Sequence, residues 1–450
     1  EEKIQTLEEV KELRQSNVKH YKLKNGKYRA EVYAEPVHYY DEESKEYKDI
    51  DNTLKENGEW YENTSNNVKV KFGKNSNNEK MFVLEKGEYK VEWKLLGKKS
   101  KKAGNENRGS KAQLGNEKKA NEKRRGVIKY EDVSENTDVE YEVKSDRIKE
   151  NIVVKKRQEE YEYEFEIALK GLKLTLSEDG KKLELKGEEG TVFSIPEPYM
   201  YDNKGETSRD VYYELKDEKN GKYRFGIVAE KEWINAEERE FPVVIDPMII
   251  SGYNDVLVAK TVSNIYSGSG PLMDLSVGFN FDGETTKNNK YAIFAKANID
   301  NIIDHYNVLS IKLILGKVSY YTMYSDETYG ILVKEVLKDW TKDTVNWNYV
   351  ENHLGGTIYE YNGEEVSSSS QFEMDVTEAF LNKNGVAIVP KDYPAITDNH
   401  MEILCLNTTS PLYNKTCVII DYVNEKAIES RKQQTSVKRA GTGLLDLYTK

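Results

Sequence analysis

Five residues in one short segment carry the side chains that commonly bind sugars. Trp340, Trp347 and Tyr349 could stack their rings on the apolar faces of sugars. Asp339 and Asp343 could accept hydrogen bonds from sugar hydroxyls. The same tryptophans could instead fill the core of a β-sandwich. The segment is therefore either a candidate ligand-binding site for carbohydrate or a structural plug.

Four other carboxylates suggest a structural cation. Asp274, Asp282, Glu284 and Asp375 offer the oxygen ligands that Ca²⁺ prefers. No Asp-x-Asp-x-Asp-Gly loop accompanies them, so the alternative is a set of solvated side chains. A structural Ca²⁺ is the one cofactor that the sequence suggests.

Motifs of catalysis are missing from the sequence. None of the five histidines stands at His-x-x-x-His spacing, and Cys-x-x-Cys, Gly-x-Ser-x-Gly and phosphate-loop motifs do not occur. Cys405 and Cys417 lie in apolar runs and are either small buried side chains or a cross-strand disulfide. Paired carboxylates of a glycosidase remain an alternative, since the chain has 79 Asp and Glu residues. We expect a protein that is not an enzyme.

Charge and hydropathy exclude two classes of partner. The chain of 450 residues has a formal net charge of −12 and a pI of about 5.3. An acidic surface repels phosphate backbones, so we expect no binding to nucleic acid. No run of apolar residues is long enough to form a transmembrane segment.

The pattern that must position these residues is alternation of apolar and polar side chains. Short alternating runs, for example Tyr89–Leu95 and Tyr161–Ala168, are separated by turn signals such as Glu178-Asp179-Gly180. The absence of long helical patterns between them predicts antiparallel sheets. We expect an all-β fold, with an antiparallel β-rich domain over residues 21–247 and a jelly-roll-like β-sandwich over residues 248–422.

Three segments break the alternation. Ile4, Leu7, Val10 and Leu13 recur at spacings of three and predict a short helix within residues 1–20. Residues 98–125 contain eleven Lys and Arg against three Glu and predict a basic disordered loop, with contact to an anionic polymer as the alternative. Residues 423–450 are polar and predict a linker or a polar C-terminal tail. A single helical turn is expected at Val376–Leu381.

Several short motifs, in this order, resemble the N-terminal region of bacterial wall-associated YD-repeat (RHS) proteins. Those of the first domain are Tyr33-Ala34-Glu35-Pro36-Val37-His38-Tyr39, Ile195-Pro196-Glu197-Pro198-Tyr199-Met200 and the Phe-Pro-Val-Val-Ile-Asp-Pro run at 241–247. The later ones resemble a DNRLRE-type β-sandwich module and are Trp340–Asn348, Met374–Thr377 and Cys417–Tyr422. Arg439-Ala440-Gly441-Thr442-Gly443 resembles the stretch that leads into a YD-repeat shell. The strand Tyr291–Ala297 departs from the family pattern, because it lacks the usual Arg and Asp.

The resemblance implies a secreted, cell-wall-associated protein of Gram-positive type. The chain would be a non-catalytic binding or anchoring segment of a polymorphic toxin, contacting a cell-wall polymer and preceding a YD-repeat shell. The alternative is a free-standing carbohydrate-binding protein that recognises a cell-wall or plant polysaccharide.

Overall fold

The computed structural model describes most of the chain. The described residues are 6–33, 35–76, 80–98, 111–114, 126–204, 206–219, 221–251, 257–263, 274–282, 289–323, 329–342, 344–391, 399–407 and 416–423. They form two compact units. The inserted unit is Pro36–Tyr253, and the flanking unit combines Glu1–Glu35 with Asn254–Lys450.

The elements are almost all strands, which confirms the predicted all-β class. The flanking unit begins with β1 (Thr6–Glu9), β2 (Val18–Leu23) and β3 (Tyr28–Tyr33). The inserted unit contains β4 (His38–Asp41), β5 (Glu46–Asp49), β6 (Asp51–Asn57), β7 (Trp60–Ser65), β8 (Val68–Gly73), β9 (Phe82–Lys86), β10 (Tyr89–Lys98), β11 (Ala112–Leu114), β12 (Val127–Ser134), β13 (Thr137–Val143), β14 (Arg147–Val154), β15 (Glu162–Lys170), β16 (Lys173–Leu176), β17 (Leu183–Gly187), β18 (Gly190–Ile195), β19 (Tyr199–Tyr201), β20 (Thr207–Ser208), β21 (Val211–Lys219), β22 (Lys222–Ala229), α1 (Lys231–Ile234), β23 (Val243–Asp246) and β24 (Met248–Ile250).

The remaining elements belong to the flanking unit. They are β25 (Leu257–Ser263), β26 (Asp274–Asp282), β27 (Asn289–Ala297), α2 (Asp300–Ile303), β28 (Asn307–Met323), β29 (Ile331–Val336), α3 (Trp347–Asn352), β30 (Leu354–Tyr361), α4 (Gly363–Ser368), β31 (Gln371–Asp375), α5 (Thr377–Leu381), β32 (Val386–Pro390), β33 (Asn399–Asn407) and β34 (Cys417–Val423). The helical turn predicted at Val376–Leu381 is confirmed by α5.

Two antiparallel sheets enclose one apolar core in the inserted unit. One sheet has the order β21-β22-β15-β10-β9-β8-β7-β6, and the other contains β11 to β14 with β23 and β24. In β15 the residues Tyr163, Phe165 and Ile167 are buried while glutamates alternate with them. Full burial of a side chain such as Phe165 contributes roughly 2–3 kcal/mol. Phe82 of the first sheet meets Tyr141 of the second, with ring centroids 5.2 Å apart.

The flanking unit is organised around its longest strand. The first part of β28 pairs with β34 and β31, and its last part pairs with β33. Strands beside both parts of β28 contribute side chains to a shared core. This core contains Leu313 and Ile420 together with Val277 and Ile293. A smaller cluster around Phe294 and Trp340 lies beside β27 and β32.

The predicted N-terminal helix is wrong for the described residues. Thr6–Glu9 is a strand paired with β2, and only Lys11–Leu13 forms a 3-10 turn. Strand β3 pairs along its length with β34, from Tyr28↔Tyr422 to Tyr33↔Cys417. The first domain expected at residues 21–247 therefore differs from the inserted unit at its start, because β3 pairs with the distant β34 and belongs to the flanking unit. It also differs at its end, because β24 pairs with β14 of the inserted unit.

Two further expectations concern segments that the structure describes only in part. Ala112–Leu114, within the basic segment 98–125, pairs with β12 and so departs from the predicted disordered loop. Residues 99–110 and 115–125 lie outside the described residues, as do residues 424–450 of the expected linker.

The two cysteines are not bonded to each other. Cys417 is fully buried. Cys417 pairs with Ile314 of β28, and Cys405 pairs with Ser319 of the same strand. These partners lie five positions apart along β28, a distance of roughly 16 Å, whereas a disulfide requires Cα atoms within about 7 Å.

Candidate binding surface

The predicted sugar-binding residues surround one short helix of the flanking unit. We call residues 337–353, which join β29 to β30, the cap segment. Thr341 begins a tight turn in which the Val345 amide donates to the Thr341 carbonyl at 3.0 Å. Asn346 then caps α3, because its side chain accepts a hydrogen bond from the Asn348 amide at 3.1 Å. The turn and the cap place α3 against the small core cluster.

Trp340 lies in the core and leaves no face for a ligand. Its side chain is only 1% exposed. Its indole Nε1 donates to the Asn384 carbonyl at 2.8 Å, and its ring packs edge-on to Phe294 with centroids 5.6 Å apart. The Lys296 ammonium lies 4.9 Å from the ring centroid. These contacts match the structural plug that the sequence offered as an alternative.

Tyr349 is also buried. Its hydroxyl donates to the Asp339 carbonyl at 3.2 Å, and its ring packs against Phe294 and His353. Because its contacts are made within the protein, Tyr349 positions the cap segment and does not offer a stacking face. Asp343 lies outside the described residues.

The remaining predicted residues, Trp347 and Asp339, reach the surface. Trp347 is half-buried, and its Nε1 donates to Glu351 at 3.1 Å across one helical turn. The Asp339 carboxylate is largely exposed and pairs with Lys296 at 2.7 Å. The hydrogen bond from Lys296 lowers the pKa of Asp339. Leu337, 62% exposed, adds an apolar side chain to the same segment.

The predicted calcium ligands do not converge. Asp274 and Asp282 occupy opposite ends of β26, so their Cα atoms stand roughly 26 Å apart and cannot share an ion. The Asp375 carboxylate accepts the Thr377 amide at 3.0 Å and hydroxyl at 2.6 Å, which uses it at the start of α5. Glu284 lies outside the described residues. Within the described ranges, no three His, Cys, Asp or Glu side chains are grouped closely enough to bind a metal.

A buried polar network in the inserted unit was missed by the sequence reasoning. The Asp246 carboxylate oxygen Oδ2 accepts the Tyr199 hydroxyl at 2.5 Å and lies 2.9 Å from Lys149 Nζ. Burial raises the pKa of Asp246, and the Lys149 ammonium opposes that rise.

A second buried carboxyl lies on the opposite face of β14. Glu150 accepts the Tyr141 hydroxyl at 2.7 Å, and burial raises the pKa of Glu150 to about 8. A signal was present in the sequence, since alternation in β14 places Glu150 between Ile148 and Ile152 on the apolar face.

No family model matches the chain. It is 27% identical over 359 residues to "tRNA(Glu)-specific nuclease WapA" of Bacillus subtilis subsp. natto strain BEST195. It is equally similar, over 360 residues each, to "tRNA3(Ser)-specific nuclease WapA" of Bacillus spizizenii and "tRNA nuclease WapA" of Bacillus subtilis strain 168. These matches cover 76% of this chain, but the chain spans only about 15% of the length of each relative.

The described helices are all too short to cross a bilayer. The comparisons relate this all-β chain to a small portion of much longer nucleases. This relation agrees in part with the resemblance to YD-repeat proteins found in the sequence.

Proposed function

We propose that this chain is a non-catalytic binding and anchoring segment of a secreted, cell-wall-associated YD-repeat protein. The observation that carries the proposal is the mismatch of lengths in the comparisons. Similarity extends over 76% of the chain but over only 15% of the WapA nucleases. The chain corresponds to a small part of each relative. In this proposal it is a module that accompanies a nuclease, and the catalytic part lies elsewhere in the longer protein.

The proposal assigns a role to each part of the chain. The inserted unit serves as an N-terminal module, and residues 254–422 of the flanking unit serve as a DNRLRE-type sandwich. Residues 423–450 lead toward a YD-repeat shell. Asp246 and Glu150 are buried inside the inserted unit. Their burial supports a structural role for this unit.

Anchoring is tested by co-sedimentation with purified cell walls of Bacillus subtilis. We expect the intact chain to pellet with the walls, while an unrelated acidic protein of similar charge stays in the supernatant. Equal amounts of both proteins in the pellet would refute anchoring.

The non-catalytic part of the proposal is tested separately. We expect total tRNA to remain intact after incubation with the purified chain, because the net charge of −12 disfavours phosphate backbones. Cleavage that follows the chain through two purification steps would refute this part while leaving anchoring untouched.

A second candidate function, recognition of a polysaccharide, is favoured by the exposed side chains of the cap segment. The cap segment contains the half-buried Trp347, which contacts Glu351, the exposed Leu337, and Asp339, which pairs with Lys296. A sugar could stack on the indole and accept or donate hydrogen bonds to the charged groups. Retention on peptidoglycan, chitin and alginate, compared between the parent chain and Trp347→Ala, tests this function. Retention that is equal in both proteins would remove the cap segment as the site.

A further inference from the structure

Lys149 and Asp246 form the most enclosed lysine–carboxylate pair among the described ion pairs. Strand β14 pairs with β23 in the register Ile152↔Ile245, which places Asp246 opposite Asn151 and diagonal to Lys149 on the same sheet face. Lys149 Nζ lies 2.9 Å from Asp246 Oδ2, and the two side chains are 12% and 0% exposed. The pair is therefore held in contact and shielded from water.

The enclosure of this pair lowers the cost of moving a proton from the ammonium to the carboxylate, because an ion pair out of water loses much of the hydration that stabilises its charges. Burial raises the pKa of Asp246, while the Asp246 carboxylate raises the pKa of Lys149. Asp246 Oδ1 has no hydrogen-bond partner in the described part of the chain. A proton that moves from the ammonium to the carboxylate gives an amine beside a carboxylic acid. These are the two groups from which an amide can form.

We propose that Lys149 and Asp246 become joined by an intramolecular amide bond. The lone pair of the neutral Lys149 Nζ attacks Asp246 Cγ, and a C–N bond forms. The C–Oδ2 bond then breaks, and the departing Oδ2 hydroxyl, which carries the proton received from Lys149, takes a second proton from the attacking nitrogen and leaves as water, while Oδ1 becomes the amide oxygen. The step consumes one amine and one carboxylic acid and releases one water, so it needs no oxidant, reductant or activated co-substrate.

Tyr199 is placed to assist this step. Its hydroxyl donates to Asp246 Oδ2 at 2.5 Å, and negative charge develops on that oxygen as its bond to carbon breaks. A donor directed at such an oxygen stabilises the transition state. The ring of Tyr201, whose centroid lies 5.9 Å from Lys149 Nζ, lines the same enclosure.

Another pair in the same sheet provides a matched control. Lys155 Nζ lies 2.7 Å from Asp138 Oδ1, but the Lys155 side chain is 34% exposed. Water keeps these groups ionised, and an ammonium has no lone pair with which to attack. The nitrogen–oxygen distances in the two pairs are similar, at 2.9 Å and 2.7 Å, but the second pair is more exposed and Asp138 also pairs with Lys129. We expect an amide at Lys149–Asp246 and none at Lys155–Asp138.

Intact-mass spectrometry of the purified full chain tests the proposal. We expect a mass lower than that of the sequence by one water, and a proteolytic map in which the peptides of Lys149 and Asp246 are linked. Lys149→Arg keeps the positive charge but removes the amine, so this variant should have the full mass. Lys155→Arg should retain the loss of water, and Tyr199→Phe should accumulate the linked form more slowly.

The unaltered chain decides the outcome even where a variant folds poorly. A parent chain of full mass would overturn the proposal. A loss of water that persists in Lys149→Arg would also overturn it, because the water would then come from another site. This result does not depend on wall binding, so the amide bond and the anchoring function can fail independently.

Discussion

Replacing Glu150 by Gln should stabilise the inserted unit in a strongly pH-dependent way. Glu150 is buried between Ile148 and Ile152, and its pKa is raised from 4.5 to about 8. In the folded state the carboxyl therefore keeps its proton at neutral pH, whereas in the unfolded chain it has lost it. Gln has the shape of the protonated carboxyl and never ionises, so it can keep the contact with the Tyr141 hydroxyl.

The sign and size of the effect follow from linkage. A group whose pKa is raised on folding contributes full stability below its unfolded pKa and loses it as pH rises through its folded pKa. For Glu150 that window runs from 4.5 to about 8. Each unit of pKa difference is worth about 1.4 kcal/mol, so ionisation should destabilise the parent by about 3 kcal/mol at pH 7 and about 4 kcal/mol at pH 8. At pH 5 the same cost should be about 1 kcal/mol or less.

Urea unfolding at pH 5 and pH 8 measures this difference. The advantage of Glu150→Gln over the parent should grow by about 3 kcal/mol between the two pH values. The exposed residue Glu135 supplies the control, and Glu135→Gln should change stability by less than about 0.5 kcal/mol at either pH. Parallel stability curves for the parent and Glu150→Gln would refute the reasoning, because they would mean that Glu150 ionises alike in both states.

Four other substitutions test separate parts of the fold. Trp340→Ala should destabilise the flanking unit by about 3–5 kcal/mol in denaturant unfolding, whereas Trp347→Ala at the surface should cost less than about 1 kcal/mol; equal costs would contradict the assignment of core and surface. Burial lowers the pKa of His20 to about 4. The unfolded chain therefore binds a proton at His20 below pH 6.5 that the folded chain does not bind. About 3 kcal/mol of folding stability should be lost as the pH falls from 6.5 to 4. His20→Asn should show a shallower loss over that window, and an unchanged acid profile would argue against this role. Gly385 has φ +71°, and a Cβ there would clash with the Ala295 carbonyl oxygen. Gly385→Ala should therefore lower the melting temperature and cost about 2 kcal/mol or more; an unaltered melting temperature would contradict the close approach.

Local alternation was sufficient to predict the fold class. In β15 and β14 the period of two is visible in the sequence, and the structure places the apolar members inward. The pairing of β3 with β34 could not be predicted, because residues almost four hundred positions apart carry no local mark of their contact. The spacing of apolar residues from Ile4 to Leu13 favoured a helix. Thr6–Glu9 forms a strand instead, because it pairs with β2 at the edge of the sheet.

The candidate sites, like the fold, could be predicted from the sequence only in part. The burial of Trp340 agrees with one of the two alternatives that the sequence left open, but spacing alone could not choose between them. Asp274 and Asp282 appeared as neighbouring ligands in sequence, yet an extended strand separates them by its full length. The Lys149–Asp246 pair depends on strand register, which becomes visible only in three dimensions.

The measurement that tests the central claim most directly is a binding isotherm of the intact chain on purified Bacillus subtilis walls, followed by depletion from solution. A wall-anchoring segment predicts saturable uptake that a pre-bound excess of unlabelled chain blocks. Uptake that rises linearly without saturation, or no depletion at any wall concentration, would contradict the anchoring role.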